Sequence, residues 1–266
     1  MTINDFAGRT VFVSGGSSGI NLGIARAFAT SGASVAIMSR SPERVAGAVA
    51  ELRALAAPGA RIEGYNADVR DADATAAVLA QAHADLGDFD VLVSGAAGNF
   101  VAPALGMSAK GFRTVIDIDL NGTFHVLRAA YAFLRKPGAS VINISASQAF
   151  TPTKYQAHVC AAKAGVDMLT RVLALEWGAA GVRVNSIVPG PVGDTEGIRR
   201  LAPTAEAQAR MASIVPLQRM GTTAEIADMA LFLSSRHAQY VTGGVIPVDG
   251  GISLIGGRDL SAGLAN

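Results

Sequence analysis

The feature that most constrains the fold is a regular alternation between short apolar runs and longer amphipathic stretches. The runs are rich in Val and Ile and nearly all apolar, which predicts strands buried on both faces. They are 10–14, 35–39, 62–67, 91–94, 141–145, 182–188 and 245–248. The stretches with helical spacing of apolar residues are 20–31, 42–56, 72–86, 108–135, 156–178 and 223–235. This order predicts an α/β fold, with a doubly wound parallel sheet of about seven strands flanked by helices.

The length predicts one domain. The chain has 266 residues, and domains commonly hold about 100–200. Neither a repeat nor a linker interrupts the pattern, so we interpret 1–266 as a single domain. The segment at about 193–213 is broken by Gly, Pro and charged residues, which is typical of a lid over a binding site.

Composition excludes several functional classes. A formal net charge of +1 gives no electrostatic reason to expect nucleic acid. One cysteine, Cys160, and four scattered histidines predict neither a disulfide framework nor a metal site. We expect no membrane span, because the apolar runs are too short. The N-terminus lacks a signal-peptide pattern, and the final residues 264–266 do not form a peroxisomal address, so we expect a cytoplasmic protein.

The turn after the first strand is rich in glycine and leads into a helix. It runs from Ser14 to Asn21 as Ser-Gly-Gly-Ser-Ser-Gly-Ile-Asn. Glycines allow a tight turn and let backbone N–H groups approach a pyrophosphate at the helix N-terminus. Because a strand precedes the turn and a helix follows it, a dinucleotide site is favoured over a turn without a ligand.

The end of the second strand favours NADP over NAD. An NAD site places Asp or Glu there to hold the ribose 2′-hydroxyl, whereas this chain has Ser39 and Arg40. An arginine can pair with a 2′-phosphate through charge-assisted hydrogen bonds, although Arg40 could also be a solvated loop charge. Asp68, after the third strand, could accept a bond from the adenine amino group or cap the following helix.

Together with downstream segments, these residues resemble the short-chain dehydrogenase/reductase family. The further segments are Ser94–Gly98, Pro189–Pro191, Tyr240–Gly243 and Asp249–Gly251, and the similarity covers residues 6–252. The resemblance implies a Rossmann-type sheet and a bound NADP(H). It implies cofactor contacts at Gly15, Ser17, Ser18, Gly19, Ile20, Asn21, Ser39, Arg40, Asp68, Val69, Gly95, Ala96, Ala97, Lys163, Pro189, Gly190, Val192 and Thr195.

The chain departs from the usual family pattern at the catalytic positions. The family places Tyr four residues before Lys, and a Ser thirteen residues before that Tyr. Here the lysine is Lys163, the Tyr position holds Val159 and the Ser position holds Ala146. Asp119 stands at the family's Asn position, and Asn21 replaces the third glycine of the phosphate turn. Without that phenol, the usual proton relay between alcohol and ketone is not available.

One branch of the family, the 2,4-dienoyl-CoA reductases of the peroxisomal type, shows similar departures. The segments that resemble it are Ala96–Phe100, Asp117–Asp119, Gln156–His158, Thr195–Leu201 and Pro216–Arg219. The resemblance implies that NADPH gives a hydride to the far end of a conjugated dienoyl thioester. It implies that a proton reaches the chain elsewhere through water.

The resemblance also implies residue roles. Lys163 holds the nicotinamide ribose, and Asp119 either orders a proton-donating water or is a structural carboxylate. From its position two residues after Asp119, Asn121 either contacts a carbonyl or closes a helix irregularity. Tyr155, eight residues before Lys163, does not match the tyrosine spacing of related reductases, but it lies in a loop that could reach the site, so it is either a proton donor or an ordinary loop or interface tyrosine. We expect His158 to be packed rather than catalytic. The implied acyl-CoA contacts are Arg70, Phe100, Ser108, Lys110 and Arg200, beside Arg40.

Two alternatives to the dienoyl-CoA reductase remain open at this stage. One is a short-chain reductase of another carbonyl or enoyl substrate, and the other is a non-catalytic NADP-binding protein. The stretch 156–178 carries an apolar surface wider than one stripe, including Val172, Leu175 and Trp177, so it is buried on more than one side. Because members of the family often pair this helix in tetramers, we expect a homotetramer.

Overall fold

Seven parallel strands form one sheet in the computed structural model, which describes residues 5–255 apart from the side chains of Arg200 and Leu201. The sheet order is β3-β2-β1-β4-β5-β6-β7. The strands are β1 Thr10–Ser14, β2 Ser34–Ser39, β3 Ile62–Asn66, β4 Val91–Ser94, β5 Ser140–Ile144, β6 Arg183–Pro189 and β7 Val245–Val248. The predicted doubly wound Rossmann-type sheet is confirmed, and its strand order reverses between β1 and β4. Ligands of such sheets bind beyond the carboxyl ends of the strands at this point.

The helices cover both faces of the sheet. They are α1 Gly19–Thr30, α2 Pro42–Leu55, α3 Ala72–Leu86, α4 Ala109–Val115, α5 Gly122–Ala130, α6 Ala157–Trp177, α7 Glu196–Leu201, α8 Ala205–Ser213 and α9 Thr223–Ser234. Alternate side chains of one strand enter opposite cores. Val11 and Val13 pack on the side of α1, α2 and α9, whereas Phe12 packs on the opposite side. Among the described residues, none of the helices has the length and apolar character needed to span a membrane.

The outer strands depart from the expectation of burial on both faces. In β3, Gly64 and Asn66 are exposed, and in β7 Val245, Ile246 and Val248 are only half-buried. The cause is their position, since β3 and β7 form the two edges of the sheet. Edge strands have a neighbour on one side only, so part of their surface faces solvent.

The helix predicted over 108–135 is not one regular α-helix. A π-helical segment, Ile116–Asn121, separates α4 from α5, and a short 3₁₀ turn, Tyr131–Phe133, ends the stretch. A π-helical turn changes the direction of nearby side chains and often occurs at functional sites. Here it includes Asp119, whose side chain is fully buried.

The segment interpreted as a lid, 193–213, contains two short helices. Thr195 caps α7 by accepting a hydrogen bond from the Ile198 amide at 3.3 Å. Thr204 caps α8 in the same way, from the Ala207 amide at 3.2 Å. Pro203 lies between the two helices, whereas Gly197, Arg199 and Arg210 lie within them. The α7 end of the segment faces the carboxyl ends of the strands, where Thr195, Glu196 and Ile198 line a cavity.

Candidate functional site

A cavity of about 740 Å³ lies along the carboxyl ends of the strands, over the point where the strand order reverses. It has the size expected of a small-molecule site. Of the residues predicted to hold a cofactor, Val192 alone is not in its wall, because that side chain is buried and Val192 pairs with Gly221. The others line the cavity: Gly15, Ser17, Ser18, Gly19, Ile20, Asn21, Ser39, Arg40, Asp68, Val69, Gly95, Ala96, Ala97, Lys163, Pro189, Gly190 and Thr195.

The turn between β1 and α1 is suited to an anionic group. Gly15 and Gly19 have φ values of +75° and +56°, a conformation that glycine adopts without strain. The Ser18 side chain does not cap α1, and the first turn carries no acidic residue. Since the N-terminal N–H groups of a helix carry a partial positive charge, this end can receive a phosphate.

Asn21 joins this turn to the turn after β4. Its Nδ2 donates to the Gly95 carbonyl oxygen at 2.8 Å, and the side chain is 8 % exposed. A Cβ atom on Gly95 would lie 2.1 Å from Asn21 Oδ1. The amide that replaces the family's third glycine therefore packs against Gly95.

The adenosine end of the cavity is formed by Ser39, Arg40 and Asp68. Asp68 accepts hydrogen bonds from Arg70 Nε at 3.0 Å and from Nη2 at 2.6 Å. These bonds to the carboxylate hold the pKa of Asp68 below its usual value. The interpretation of Asp68 as a helix cap is wrong, because Asp71 caps α3 by accepting from the Ala74 amide at 2.9 Å.

A buried ion pair lies at the floor of the cavity. Lys163 Nζ lies 3.3 Å from Asp119 Oδ2 and donates to the Ile144 carbonyl oxygen at 3.0 Å. Asp119 Oδ1 accepts from the Gly98 amide at 2.7 Å. Lys163 is 5 % exposed and Asp119 is 0 % exposed. The π-helical turn, α6 and the turn after β4 thus bring one cation and one carboxylate together under the cavity.

The wall around this pair offers no phenol. Val159 and Ala146, at the family's Tyr and Ser positions, line the cavity beside Lys163. One turn further along α6, Asp167 is buried, and burial raises the pKa of its carboxyl group. A buried carboxylate behind the lysine was not predicted, because Asp167 is one helical turn from Lys163 and the sequence pattern does not show which side it faces.

Several predicted site residues are not brought to the cavity. Tyr155 is 56 % exposed, has a φ of +66° and lines a separate groove. Asn121 donates from Nδ2 to Asp117 Oδ1 at 2.9 Å, within the π-helical segment. Ser108 caps α4 by accepting from the Gly111 amide at 3.0 Å. Outside the cavity wall lie Tyr155, Asn121, Ser108, Lys110, Phe100 and Arg70, and the side chain of Arg200 falls outside the described residues.

Phe100 instead packs on His158, with ring centroids 4.3 Å apart. His158 is fully buried, and burial lowers the pKa of its imidazole. The expectation that His158 has a packing role agrees with this contact. Cys160 is half-buried and lines the same separate groove as Tyr155.

The sequence analysis also missed residues of the cavity wall. Arg44, Asn99, Ser145 and Gln148 all line it. Arg44 had a signal in the sequence, because it follows Arg40 by four residues across the turn between β2 and α2. Within residues 5–255, no three His, Cys, Asp or Glu side chains are grouped so that they could hold a metal ion.

Comparisons with known proteins agree with this geometry. The sequence model of a family described as "Enoyl-(Acyl carrier protein) reductase" matches residues 15–253. The chain is 42 % identical to a peroxisomal 2,4-dienoyl-CoA reductase of Arabidopsis thaliana, over 95 % of this chain and 87 % of that protein. It is 44 % identical to the rat (Rattus norvegicus) protein of the same name, over 91 % of this chain and 83 % of that protein.

A solved structure is similar along nearly its whole length. It is that of a short-chain type dehydrogenase/reductase from Mycobacterium ulcerans, with a TM-score of 0.90 and 38 % sequence identity. The match covers 98 % of this chain and 95 % of that chain. The cavity described above therefore lies in a scaffold shared with these oxidoreductases.

Proposed function

Because this chain belongs to the short-chain dehydrogenase/reductase family, we propose that it is an NADPH-dependent reductase of unsaturated acyl-CoA, with 2,4-dienoyl-CoA as its first substrate. The chain is an oxidoreductase of this family, and its plant and rat relatives are named 2,4-dienoyl-CoA reductases. The preference for NADPH, the acyl-CoA substrate and the roles of the residues are what we propose beyond the family assignment.

The observation that carries the proposal is the Lys163–Asp119 pair beneath a wall without the usual phenol. Carbonyl reduction in this family needs a hydroxyl that exchanges a proton with the reacting oxygen, and Val159 offers none. Reduction of a conjugated double bond needs instead a polarised thioester carbonyl and a proton for carbon. The buried Lys163 ammonium beside the cavity would polarise the thioester carbonyl, because negative charge that develops on the thioester is stabilised by a nearby positive charge.

When bound, NADPH supplies a hydride. In the proposed reaction the hydride adds to C5 of the dienoyl chain and a proton adds to C2, which leaves one double bond between C3 and C4. The plant and rat relatives are named as reductases that produce a (3E)-enoyl-CoA. Lys163 would hold the nicotinamide ribose. Asp119 contacts Lys163 and the Gly98 amide, and in this proposal it would order the water that provides the proton.

The preference for NADPH rests on the adenosine end of the cavity. Ser39 and Arg40 line it, and no acidic residue stands at the end of β2. A charge-assisted hydrogen bond from Arg40 to a 2′-phosphate would contribute about 1.5–3 kcal/mol, which is roughly a tenfold to 150-fold preference. Arg40→Ala should reduce that preference and leave NADH binding unchanged.

We further propose a homotetramer that covers α5 and α6. Apolar side chains are exposed on these helices, with Met168 at 56 %, Leu175 at 84 % and Phe124 at 45 %. Burial of such side chains against a second copy is favourable because it removes apolar surface from water. A cytoplasmic location stays a prediction of the sequence.

The reaction is tested by following NADPH oxidation with 2,4-hexadienoyl-CoA and 2,4-decadienoyl-CoA. NADH and trans-2-enoyl-CoA run in parallel, and the product double bond is located by mass spectrometry or NMR. We expect turnover with dienoyl-CoA and NADPH, lost in Lys163→Ala and strongly reduced in Asp119→Ala. Asp117→Ala, in the same π-helical turn but outside the cavity wall, is the matched control. If NADPH binds but neither thioester is reduced, the proposal fails and a non-catalytic binder or another substrate is indicated.

A further inference from the structure

Three carboxamide side chains form a chain of hydrogen bonds along the cavity. Gln148 Nε2 donates to Gln156 Oε1 at 2.9 Å, and Gln156 Nε2 donates to Asn99 Oδ1 at 3.3 Å. Asn99 and Gln148 line the cavity, whereas Gln156 is not part of its wall and is 6 % exposed. Asn99 follows β4, Gln148 follows β5 and Gln156 precedes α6. One buried amide therefore contacts two amides of the cavity wall.

The Gln156 side chain is not used to cap a helix. It occupies the position just before α6, yet it makes no capping hydrogen bond there. Ser, Thr, Asp and Asn are preferred at this position because their short side chains reach the first amides of a helix. Gln156 is turned instead toward Asn99 and Gln148. Since a buried polar group without a partner is costly, these two bonds fix the direction of its amide.

The direction of the chain decides which atoms of the two wall amides are available to a ligand. A carboxamide has an oxygen that accepts and an NH₂ group that donates. Asn99 uses its oxygen for the bond with Gln156, so its Nδ2 donor is left for the cavity. Gln148 uses its donor, so its Oε1 acceptor is left. Neither of these two atoms has another hydrogen-bond partner within residues 5–255.

We propose that Gln156 is a positioning residue, which holds the Asn99 amide with its donor toward the thioester carbonyl of a bound acyl-CoA. The inference rests on the proposed function. A thioester oxygen only accepts hydrogen bonds, so it matches Asn99 Nδ2 and does not match Gln148 Oε1. The bond strengthens as negative charge develops on that oxygen during hydride addition, and it acts together with the Lys163 ammonium. Gln156 itself does not contact the substrate.

The test compares two substitutions of Gln156. In Gln156→Glu the shape is kept, but the ionised carboxylate can only accept, so Asn99 must turn its Nδ2 to it and present its oxygen to the thioester. Gln156→Met removes both bonds and leaves the Asn99 amide free to turn. With 2,4-hexadienoyl-CoA and NADPH, we expect kcat to fall about 100-fold in Gln156→Glu, the effect of losing one donor to a developing negative charge. It should fall only a few-fold in Gln156→Met.

The Michaelis constant should change little in either variant, because the bond gains its strength in the transition state. A purely structural role of Gln156 predicts the opposite order of the two variants. Glu has nearly the same shape as Gln and keeps the bond with Gln148, whereas Met loses both bonds. The ranking of kcat therefore separates positioning from packing.

The pH dependence of Gln156→Glu gives a second readout. Once protonated, the new carboxyl group donates through its O–H and accepts through its carbonyl oxygen, as the wild-type amide does. The ratio of the variant kcat to the wild-type kcat should therefore rise as the pH is lowered from about 9 to 5, a range that includes the raised pKa of a buried carboxyl group. The ionisable groups of the loop, of the first two turns of α6 and of the π-helical turn packed on α6 are Asp117, Asp119, Lys154, Tyr155, His158, Cys160 and Lys163. Both proteins carry them, so the ratio removes their shared titration.

Two controls accompany these variants. Gln239→Glu makes the same change at an exposed glutamine outside the cavity wall, and it should alter neither kcat nor its pH profile. In the Asn99→Ala background, Gln156→Glu should cause no further loss of kcat, because the amide whose direction it sets is gone. Far-UV circular dichroism and the dissociation constant for NADPH establish that each variant is folded.

Two outcomes overturn the inference and keep the proposed function. One is a kcat that is lower in Gln156→Met than in Gln156→Glu at pH 9, and the other is a ratio that does not change with pH. If Gln156→Glu does not fold, Gln156→Met takes its place in the Asn99→Ala background, where a loss that persists in full overturns the inference. A wild type that reduces neither dienoyl-CoA nor enoyl-CoA is a different failure, since it removes the proposed function and the inference with it.

Discussion

Removal of the carboxylate of Asp119 should destabilise the protein as well as strongly reduce its activity. The side chain is 0 % exposed, and it is joined to Lys163 Nζ at 3.3 Å and to the Gly98 amide at 2.7 Å. Lys163 is 5 % exposed in the wild type. In Asp119→Ala it would stay buried, with the Ile144 carbonyl oxygen as its remaining partner. Loss of one member of a buried ion pair costs about 3–5 kcal/mol, so the folding equilibrium constant should fall by roughly 100-fold to 4,000-fold.

The assay is urea unfolding at one fixed protein concentration, because assembly makes apparent stability depend on concentration. Far-UV circular dichroism and the fluorescence of Trp177, which is 8 % exposed, should report one transition. Lys163→Met and the double variant with Asp119→Ala complete a cycle. Once both charges are removed, no unpaired buried charge is left, so the double variant should lose much less than the sum of the single losses.

Asp117→Ala is the control. The Asp117 carboxylate accepts a hydrogen bond from Asn121 in the same π-helical turn and does not pair with Lys163. Two results would refute the reasoning. One is a loss below about 1 kcal/mol in Asp119→Ala, the size of an exposed ion pair. The other is strict additivity of the two single variants in the double variant, which would show that the charges do not interact.

Three further predictions concern other parts of the molecule. Gly95→Ala should lower the free energy of unfolding by about 1–3 kcal/mol, typical of overpacking, because the new Cβ would lie 2.1 Å from Asn21 Oδ1. The double variant with Asn21→Gly should regain most of the lost stability, measured by thermal unfolding. Hydrogen bonds from Arg219 lower the pKa of Glu225 to about 2. A carboxyl group whose pKa is lower in the folded than in the unfolded state stabilises the folded protein above the unfolded-state pKa, and this contribution is lost as the pH falls through the folded-state pKa. The difference in unfolding free energy between the wild type and Glu225→Gln should therefore become smaller as the pH falls from about 4.5 to 2. A difference that stays constant over this range contradicts the assignment. Leu175→Glu, at an 84 % exposed position, should reduce the mass measured by light scattering without loss of helical content, and a wild type of monomer mass would refute the tetramer.

The elements of the fold were predictable because their signals are local. β1, β4 and β7 occupy the predicted bounds, and α3 does as well. Short β-branched runs and helical spacing report directly on local backbone preference and burial. The π-helical turn at Ile116–Asn121 was not predictable, since its apolar pattern is compatible with a regular helix.

The candidate site was predictable only in part. Motifs that lie at the carboxyl ends of strands, such as the turn after β1, come to the cavity because the sheet topology brings those ends together. Residues predicted from their place in a loop or from the resemblance alone did not, as with Tyr155 and Ser108. Spacing gives the position of a residue along a loop, and it leaves the direction of the side chain open.

By itself, the sequence determined the class of this protein: a parallel α/β sheet, a glycine-rich phosphate turn, and a lysine without the family's phenol four residues earlier. Each of these depends on neighbours along the chain. The tertiary structure alone decided which carboxylate meets Lys163, that the Asn21 amide packs on Gly95, and that Arg44 of α2 reaches Glu196 of α7. These pairs join segments distant in sequence, and their distances depend on how the elements pack rather than on any local preference.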